Sequence, residues 1–536
     1  MTHNRFRFPQ WLSPILFAFL SVSIAFASGP DVIKASRHDV SPPLSKLANN
    51  GSIKGGTNHQ THTARPTGPL ITSSKSDPVA TLLAGSLTGV TNLKNFDGQS
   101  AQDNRNLFGF AFVPPDTNGA VGDSQFVQMV NVTIAVYNKS NGALQLGPTA
   151  IHNLWSGFGG LCEFGGGTPT FADGGDPVVL YDHIANRWLV TQLQYNTTFT
   201  DNSECVAVST TSDATGSYNR YEFKFGTNFP DYPKFGIWPD AYYNSVNVFG
   251  PKSFLGADAC AFDRKAMLAG QPASAICFQQ PPTVASLLPA DLDGSTLPPA
   301  GAPNDFVGLA DSTHLNLFRF HVDFSHPANS RFTGPTLISV APYSEICARA
   351  SNASCIPQPS PGEHLDGLAD RVMFRLAYRN FGDHESLVVN HTVAGGALAG
   401  VRWYEIRDPA APFIFQQATI VDPDVNYWLG SIAMDKTGNM ALGFSASSKT
   451  VFPSVLVAGR SASDPAGEMF GPEVLVNGSG VQIQSFKRWG DYSSMSVDPT
   501  DDCTFWYTNE YYATTGSFNW STRVGSFKFD NCGHSR

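Results

Sequence analysis

Apolar and polar positions alternate along this chain in short runs, and no stretch sustains a helical period. Phe126 to Val130 is one such run and Thr133 to Tyr137 the next. Lys139-Ser140-Asn141-Gly142 follows them and ends in Asn-Gly, a hairpin signal. Pro177 to Tyr181, Arg187 to Leu193, Cys205 to Ser209 and Tyr221 to Phe225 give four strands in one stretch, the number a propeller blade requires. Met440 to Phe444 and Cys503 to Tyr507 occupy equivalent places further on.

The runs recur in units, each marked by a Gly or Trp ahead of an Asp. The marks are Gly122-Asp123, Gly175-Asp176, Trp238-Pro239-Asp240, Gly308 through Asp311, Gly367 through Asp370, Gly430 through Asp435, and Gly490 through Asp498. Successive Asp residues lie 53, 64, 71, 59, 65 and 63 positions apart. This spacing predicts an all-β fold, a single β-propeller of seven blades over residues 96–536, with five or six blades as alternatives. A β-sandwich array or a β-helix fits less well, because no linker follows residue 100. The Pro-rich stretch from Pro281 to Asn304 reads as a long loop between blades.

Two segments precede the propeller. Residues 1–27 carry Arg5 and Arg7, an apolar stretch from Trp11 to Ala27 and the small-x-small pattern Ala25-Phe26-Ala27, which together predict a signal peptide. The stretch is shorter than the roughly 20 residues of a spanning helix and contains Pro14, which argues against a membrane anchor. Residues 28–95 are rich in Ser, Thr, Gly, Pro and Asn without apolar period and predict a disordered leader. The expectation is a secreted protein, extracellular or periplasmic, with no stable membrane insertion.

Charge narrows the partners. Loss of the signal peptide takes two arginines from the 34 basic side chains and leaves all 44 acidic ones, a net charge of −12. Such a surface repels phosphate backbones, so nucleic acid is not an expected partner. A glycan or another extracellular ligand is, with the protein acting as a monomer. The eight cysteines form no C-x-x-C, and an even number in an exported chain favours disulfides. Sequence proximity suggests Cys162–Cys205, Cys260–Cys277, Cys347–Cys355 and Cys503–Cys532.

The chain lacks a G-x-S-x-G elbow and a phosphate-binding P-loop, and Val388 stands where H-E-x-x-H needs its second His. The candidate chemistry lies in carboxylates at the heads of the units: Asp116, Asp176, Asp240, Asp366 and Asp491. In a propeller the first strand of each blade lines the channel, so residues at its start converge on one mouth. Converging carboxylates can hydrolyse glycosides, one as acid and one as base or nucleophile. The same ring could coordinate Ca²⁺, the one cofactor the sequence suggests, although no formal calcium loop is complete. For each Asp the plainer role is a turn cap. Arg375, His391, Arg402 and Glu405 fall on predicted strands and suit a pocket for a sugar carboxylate or hydroxyls, or else a solvated ion-pair face. Trp238, Trp428, Trp489 and Tyr492 stand at the channel strands, as sugar platforms or as core.

Four strings carry a resemblance: Pro114-Pro115-Asp116-Thr117-Asn118-Gly119-Ala120-Val121-Gly122, Gly175-Asp176-Pro177-Val178-Val179, Tyr232-Pro233-Lys234-Phe235-Gly236-Ile237-Trp238-Pro239-Asp240 and Arg488-Trp489-Gly490-Asp491-Tyr492-Ser493-Ser494-Met495. They resemble a family of exported bacterial proteins that brings no established activity. A looser likeness, through Asp435 to Gly443, is to sialidase-like propellers. Their Asp-box and arginine segment are absent here, so that likeness implies architecture rather than catalytic residues. The functional expectation is a secreted propeller that binds or hydrolyses glycans through its channel-mouth carboxylates. The alternatives are a non-catalytic extracellular interaction module, with or without Ca²⁺, and a metal-dependent lactonase or esterase.

Overall fold

The computed structural model describes residues 29–48, 59–60, 70–165, 173–347, 354–483 and 487–533. The signal peptide assigned to residues 1–27 lies outside them. Strands dominate, and they run as successive antiparallel meanders over 118–150, 178–226, 229–279, 288–339, 373–421, 426–476 and 494–529. The first six have four strands each. The last has three and takes its fourth from Val90–Ser100, which pairs antiparallel with Ser521–Phe529. N-terminal and C-terminal chain thus share one sheet, a closure that ties the two ends of the fold together.

The innermost strands are Asn118–Val121, Val178–Asp182, Phe229–Ile237, Leu288–Leu292, Met373–Asn380, Asn426–Met434 and Ser494–Val497. Each packs against the next, and the last packs against the first. That closed ring of radially repeated sheets is a β-propeller. Most of these strands are buried at every position, because blades cover both of their faces. This is why they read as apolar runs rather than clean alternations. The N-terminal ends of the ring strands open at one mouth of the channel, called here the N-mouth, and their C-terminal ends at the other, the C-mouth.

Two expectations are corrected. The segment from Pro281 to Asn304 is not a loop: it contains Leu288–Leu292, the inner strand of the fourth meander, which also pairs in parallel with Met373–Asn380. Pro289 within it and its five-residue length hid it, since Pro normally argues against an interior strand. The leader is not uniformly disordered. Asp31–Lys34 adds an outer strand to the third meander, Arg37–Val40 to the second, and Ala80–Leu82 runs parallel to Phe413–Val421 of the fifth. These short polar segments have no apolar pattern to betray them, because main-chain hydrogen bonds to exposed sheet edges hold them in place. The propeller accordingly takes in chain from Val90 rather than from Phe96.

All four proximity pairings are disulfides. Cys260 and Cys277 face each other across two adjacent strands, whereas Cys503–Cys532 clips the C-terminal end of the last blade to its first turn. A bridge of this kind contributes about 2–4 kcal/mol. Among the described residues no helix is long and apolar enough to cross a membrane.

Candidate functional site

Every meander holds one non-glycine residue in the left-handed region close to the N-mouth end of its inner strand. They are Asp116, Asp176, Tyr232, Ser286, Leu368, Leu429 and Asp491, with φ from 42° to 57°. Such a residue costs of order 1–3 kcal/mol, less for Asp, whose short side chain tolerates the conformation. Neighbouring blades hold the turns in place. The amides of Asp176, Ser286 and Leu429 donate to Asn131 Oδ1, Asn247 Oδ1 and Thr392 Oγ1 at 2.9, 2.7 and 3.1 Å, each acceptor lying in the preceding blade.

These turns bring the four strings of the resemblance to one place. The Tyr232 amide donates to Asp176 Oδ2 at 3.2 Å, and its hydroxyl to the Asp491 carbonyl at 3.3 Å. Tyr492 donates to the Pro177 carbonyl at 3.0 Å. Lys234 lies between two rings, its Nζ 3.6 Å from the centroid of Tyr232 and 3.8 Å from that of Tyr492. Arg371, bonded to Asp370, stands 4.4 Å above the Tyr232 ring. Arg488 pairs with Asp491 and lies 3.9 Å from Asp366. Asp116, Asp176, Asp231, Asp366, Asp491, Lys234, Arg371 and Arg488 are all buried.

Burial on this scale reshapes the acids. Asp116 is held well above the usual carboxylate range, first by desolvation and then by Asp491 and Asp176. Neither of its oxygens meets a donor from an ordinary hydrogen-bonding group among the described residues. Asp176, itself buried, is near enough to add to the rise. Asp176 is also raised by burial, with Lys234 opposing. Asp231, Glu204 and Glu510 are raised chiefly by burial. Burial pulls Lys234 down to about 8, against the attraction of Asp176. The cluster therefore holds more carboxyls than cations, and burial favours the protonated form of its acids.

The residues nominated from sequence separate into groups. Asp116, Asp176, Asp366 and Asp491 come together at the N-mouth, with Tyr492 among them. Trp428 and Trp489 pack beside the cluster, 5.8 Å apart and fully buried. Asp240 and Trp238 do not join: they follow Phe229–Ile237 and so sit at the C-mouth, where Trp238 Nε1 donates to the Ala302 carbonyl at 3.1 Å. Arg375 faces the C-mouth half of the channel, bonded to Asp291 at 2.7 Å and Asp293 at 2.5 Å. His391 and Arg402 share a face of the fifth blade away from the channel. His391 Nε2 meets Tyr404 Oη at 2.9 Å, and Arg402 pairs with Asp77 at 2.6 Å. Glu405 is on the opposite face.

Sequence reasoning missed Lys234, Arg371 and Asp231, although Lys234 stood inside one of the quoted strings. It also missed the rim. Tyr195, Phe199 and Phe229 pack together there with centroids 4.7–5.5 Å apart. Asp176 and Asp231 lie near enough to raise the Tyr195 phenol, after burial, to about 12. Phe199 is exposed at 38% in a left-handed turn. Among the described residues one set of three metal-type ligand atoms is mutually close, Asp258, Cys260 and Cys277. Its two sulfurs are bonded to each other, so it offers no thiolate.

No family model and no curated protein matches the chain. Solved structures align with it at low identity. The N-terminal domain of Nup159 superposes with a TM-score of 0.36 and 9% identity, covering 85% of this chain and 100% of that one. An α-L-arabinofuranosidase from Fusarium graminearum gives 0.34 and 8%, covering 78% and 95%. An α-L-arabinanase from Penicillium chrysogenum gives 0.34 and 8%, covering 82% and 99%. The chain is a β-propeller by its own ring of strands, and its chemistry has to be argued from its own residues.

Proposed function

We propose that the protein is an exported propeller that acts on glycans, a glycoside hydrolase whose proton donor is Asp116. The observation that carries the reading is the convergence of the buried acids Asp116, Asp176 and Asp491 at one mouth, where burial and the neighbouring acids hold Asp116 well above the usual carboxylate range. Hydrolysis needs one carboxylic acid to protonate the leaving oxygen and a second carboxylate as base or nucleophile. Asp116 serves as the first. Asp491, ion-paired with Arg488, serves as the second. Asp176 adds to the rise of Asp116, and Lys234 balances the charge that remains. At the rim the exposed Phe199, backed by Tyr195 and the buried Phe229, offers an aromatic face to a sugar ring. The four disulfides suit an exported monomer.

The test is turnover of a panel of chromogenic glycosides and polysaccharides by the mature protein. Asp116→Asn and Asp491→Asn should each lower it by about 10²–10⁴-fold while the fold survives. A second reading is favoured by one observation: Trp428, Trp489, Tyr492 and Phe374, each at most 1% exposed, fill the same mouth. In that reading the protein is a non-catalytic extracellular interaction module, and the acids are interior polar structure. No turnover and no glycan-dependent melting shift in the wild type would leave that reading standing.

A further inference from the structure

A second polar cavity opens far from the acid cluster, between the fifth and sixth blades on the C-mouth side. Its volume is about 250 Å³, a little under that of drug-sized ligand sites and suited to a smaller molecule. Its polar lining is dominated by Arg407 and Arg460, and its apolar lining by Phe415 and Phe381. Arg407 lies flat on Phe415, its guanidinium carbon 3.4 Å from the ring centroid, and its Nε donates to Glu405 at 2.6 Å. Glu405 is then saturated: it also accepts from Ser386 Oγ at 2.9 Å and from Gln416 Nε2 at 2.6 Å.

Arg460 differs. It is 4% exposed, yet its guanidinium donates only to main-chain carbonyls, those of Glu468, Asp464 and Pro465. Among the described residues no carboxylate lies within ion-pair distance of it. The Asp464 carboxylate also lines the cavity, but accepts the Ser461 amide at 2.6 Å. Arg460 Nη1 and both Nη atoms of Arg407 have no hydrogen-bond partner among the described residues. Burial pulls Arg460 downward against the attraction of Asp464, Glu405 and Glu468, and Arg407 adds to the downward pull. A guanidinium fork matches a carboxylate or a phosphate bidentately, and the Phe415 and Phe381 rings favour an organic carboxylate over inorganic phosphate.

We infer that this cavity is a binding site for a small organic carboxylate, with Arg407 and Arg460 as its donors and the Phe415 and Phe381 rings as walls for the body of the ligand. The site does not depend on the acid cluster or on glycan hydrolysis.

The experiment is isothermal titration of the mature protein with D-galacturonate, benzoate and inorganic phosphate, with D-galactose as the uncharged control, at constant ionic strength. At least one carboxylate should bind more tightly than about 10 mM and at least about tenfold more tightly than galactose and phosphate. Arg407→Gln, on a side chain 24% exposed, should weaken binding by about tenfold or more, and Arg460→Met should abolish it. Arg407→Gln decides the matter if Arg460→Met does not fold. The inference is overturned if neither carboxylate binds, if phosphate binds as well as the carboxylates, or if Arg407→Gln binds like the wild type.

Discussion

The two mouths of the channel use the same residue for opposite ends. At the C-mouth Asp182 and Asp435 are satisfied, although Asp293 there leaves one carboxyl oxygen without a donor. Asp182 accepts from Arg264 at 2.7 and 3.0 Å, from Tyr242 Oη at 2.8 Å and from the Ala185 amide at 3.1 Å. Asp435 holds its turn through the amides of Thr437 and Asn439 at 2.8 and 3.0 Å. At the N-mouth Asp116 and Asp491 leave carboxyl oxygens without ordinary donors. The difference separates a carboxylate that builds a turn from one held in reserve. Asp in a repeated turn is not evidence of chemistry; an unsatisfied buried Asp, crowded by other acids, is.

The largest effect should come from removing a satisfied acid. Asp182→Ala strands the Arg264 guanidinium and the Tyr242 hydroxyl and should cost about 3–5 kcal/mol in urea denaturation. Asp116→Asn replaces a protonated carboxyl by a neutral isostere and should change stability by less than about 1 kcal/mol. Equal losses in the two variants would erase the distinction between the mouths. Asp435→Ala removes turn bonds without exposing a buried cation, and an intermediate loss of about 1–3 kcal/mol is expected by the same assay.

Titration sharpens the contrast further. The raised N-mouth acids bind protons more tightly in the folded than in the unfolded state, so the stability they contribute is complete below the unfolded value near 4. It is lost as pH rises toward their folded values. Asp258, away from both mouths, gives a bounded control: burial and then Asp31 push it up to about 7. Asp258→Asn should make the decline of melting temperature between about pH 4 and pH 7 shallower by that one group's share and leave the N-mouth's share in place. A wild type whose melting temperature climbs across that range would contradict the assigned directions. Lys234 titrates in the opposite sense, its folded value near 8 lying below its ordinary 10.5. Its depression makes the fold gain stability from about pH 8 to pH 10.5, and Lys234→Met should remove that gain.

Much of this was legible in the chain. Asn-Gly turns, apolar runs and unit spacing led to a propeller, and nearest-neighbour pairing of cysteines matched all four disulfides because blades fold locally. Asp116, Asp176 and Asp491 were found because each precedes an inner strand. The same rule misplaced Asp240 and Trp238, since a Gly or Trp ahead of an Asp occurs at both ends of a strand and the motif does not say which end it marks. Arg375, His391, Arg402 and Glu405 were grouped by proximity on three successive strands, but alternation and blade curvature send them to three different environments. Lys234 stayed unnoticed because a lysine within an apolar string gives no sign that two tyrosines from different blades will enclose it.

By itself the sequence determined the local terms: strand pattern, turn chemistry, cysteine pairing and the positions of acids that can tolerate a left-handed backbone. Those depend on neighbours within a few residues or one hairpin. Tertiary structure alone decided which acids are buried together, which buried arginine has no ion-paired carboxylate among the described residues and where the leader docks. These outcomes depend on ring closure, which brings residues more than 300 positions apart into hydrogen-bond contact, as with Tyr492 and Pro177, and removes the water that would otherwise screen their charges.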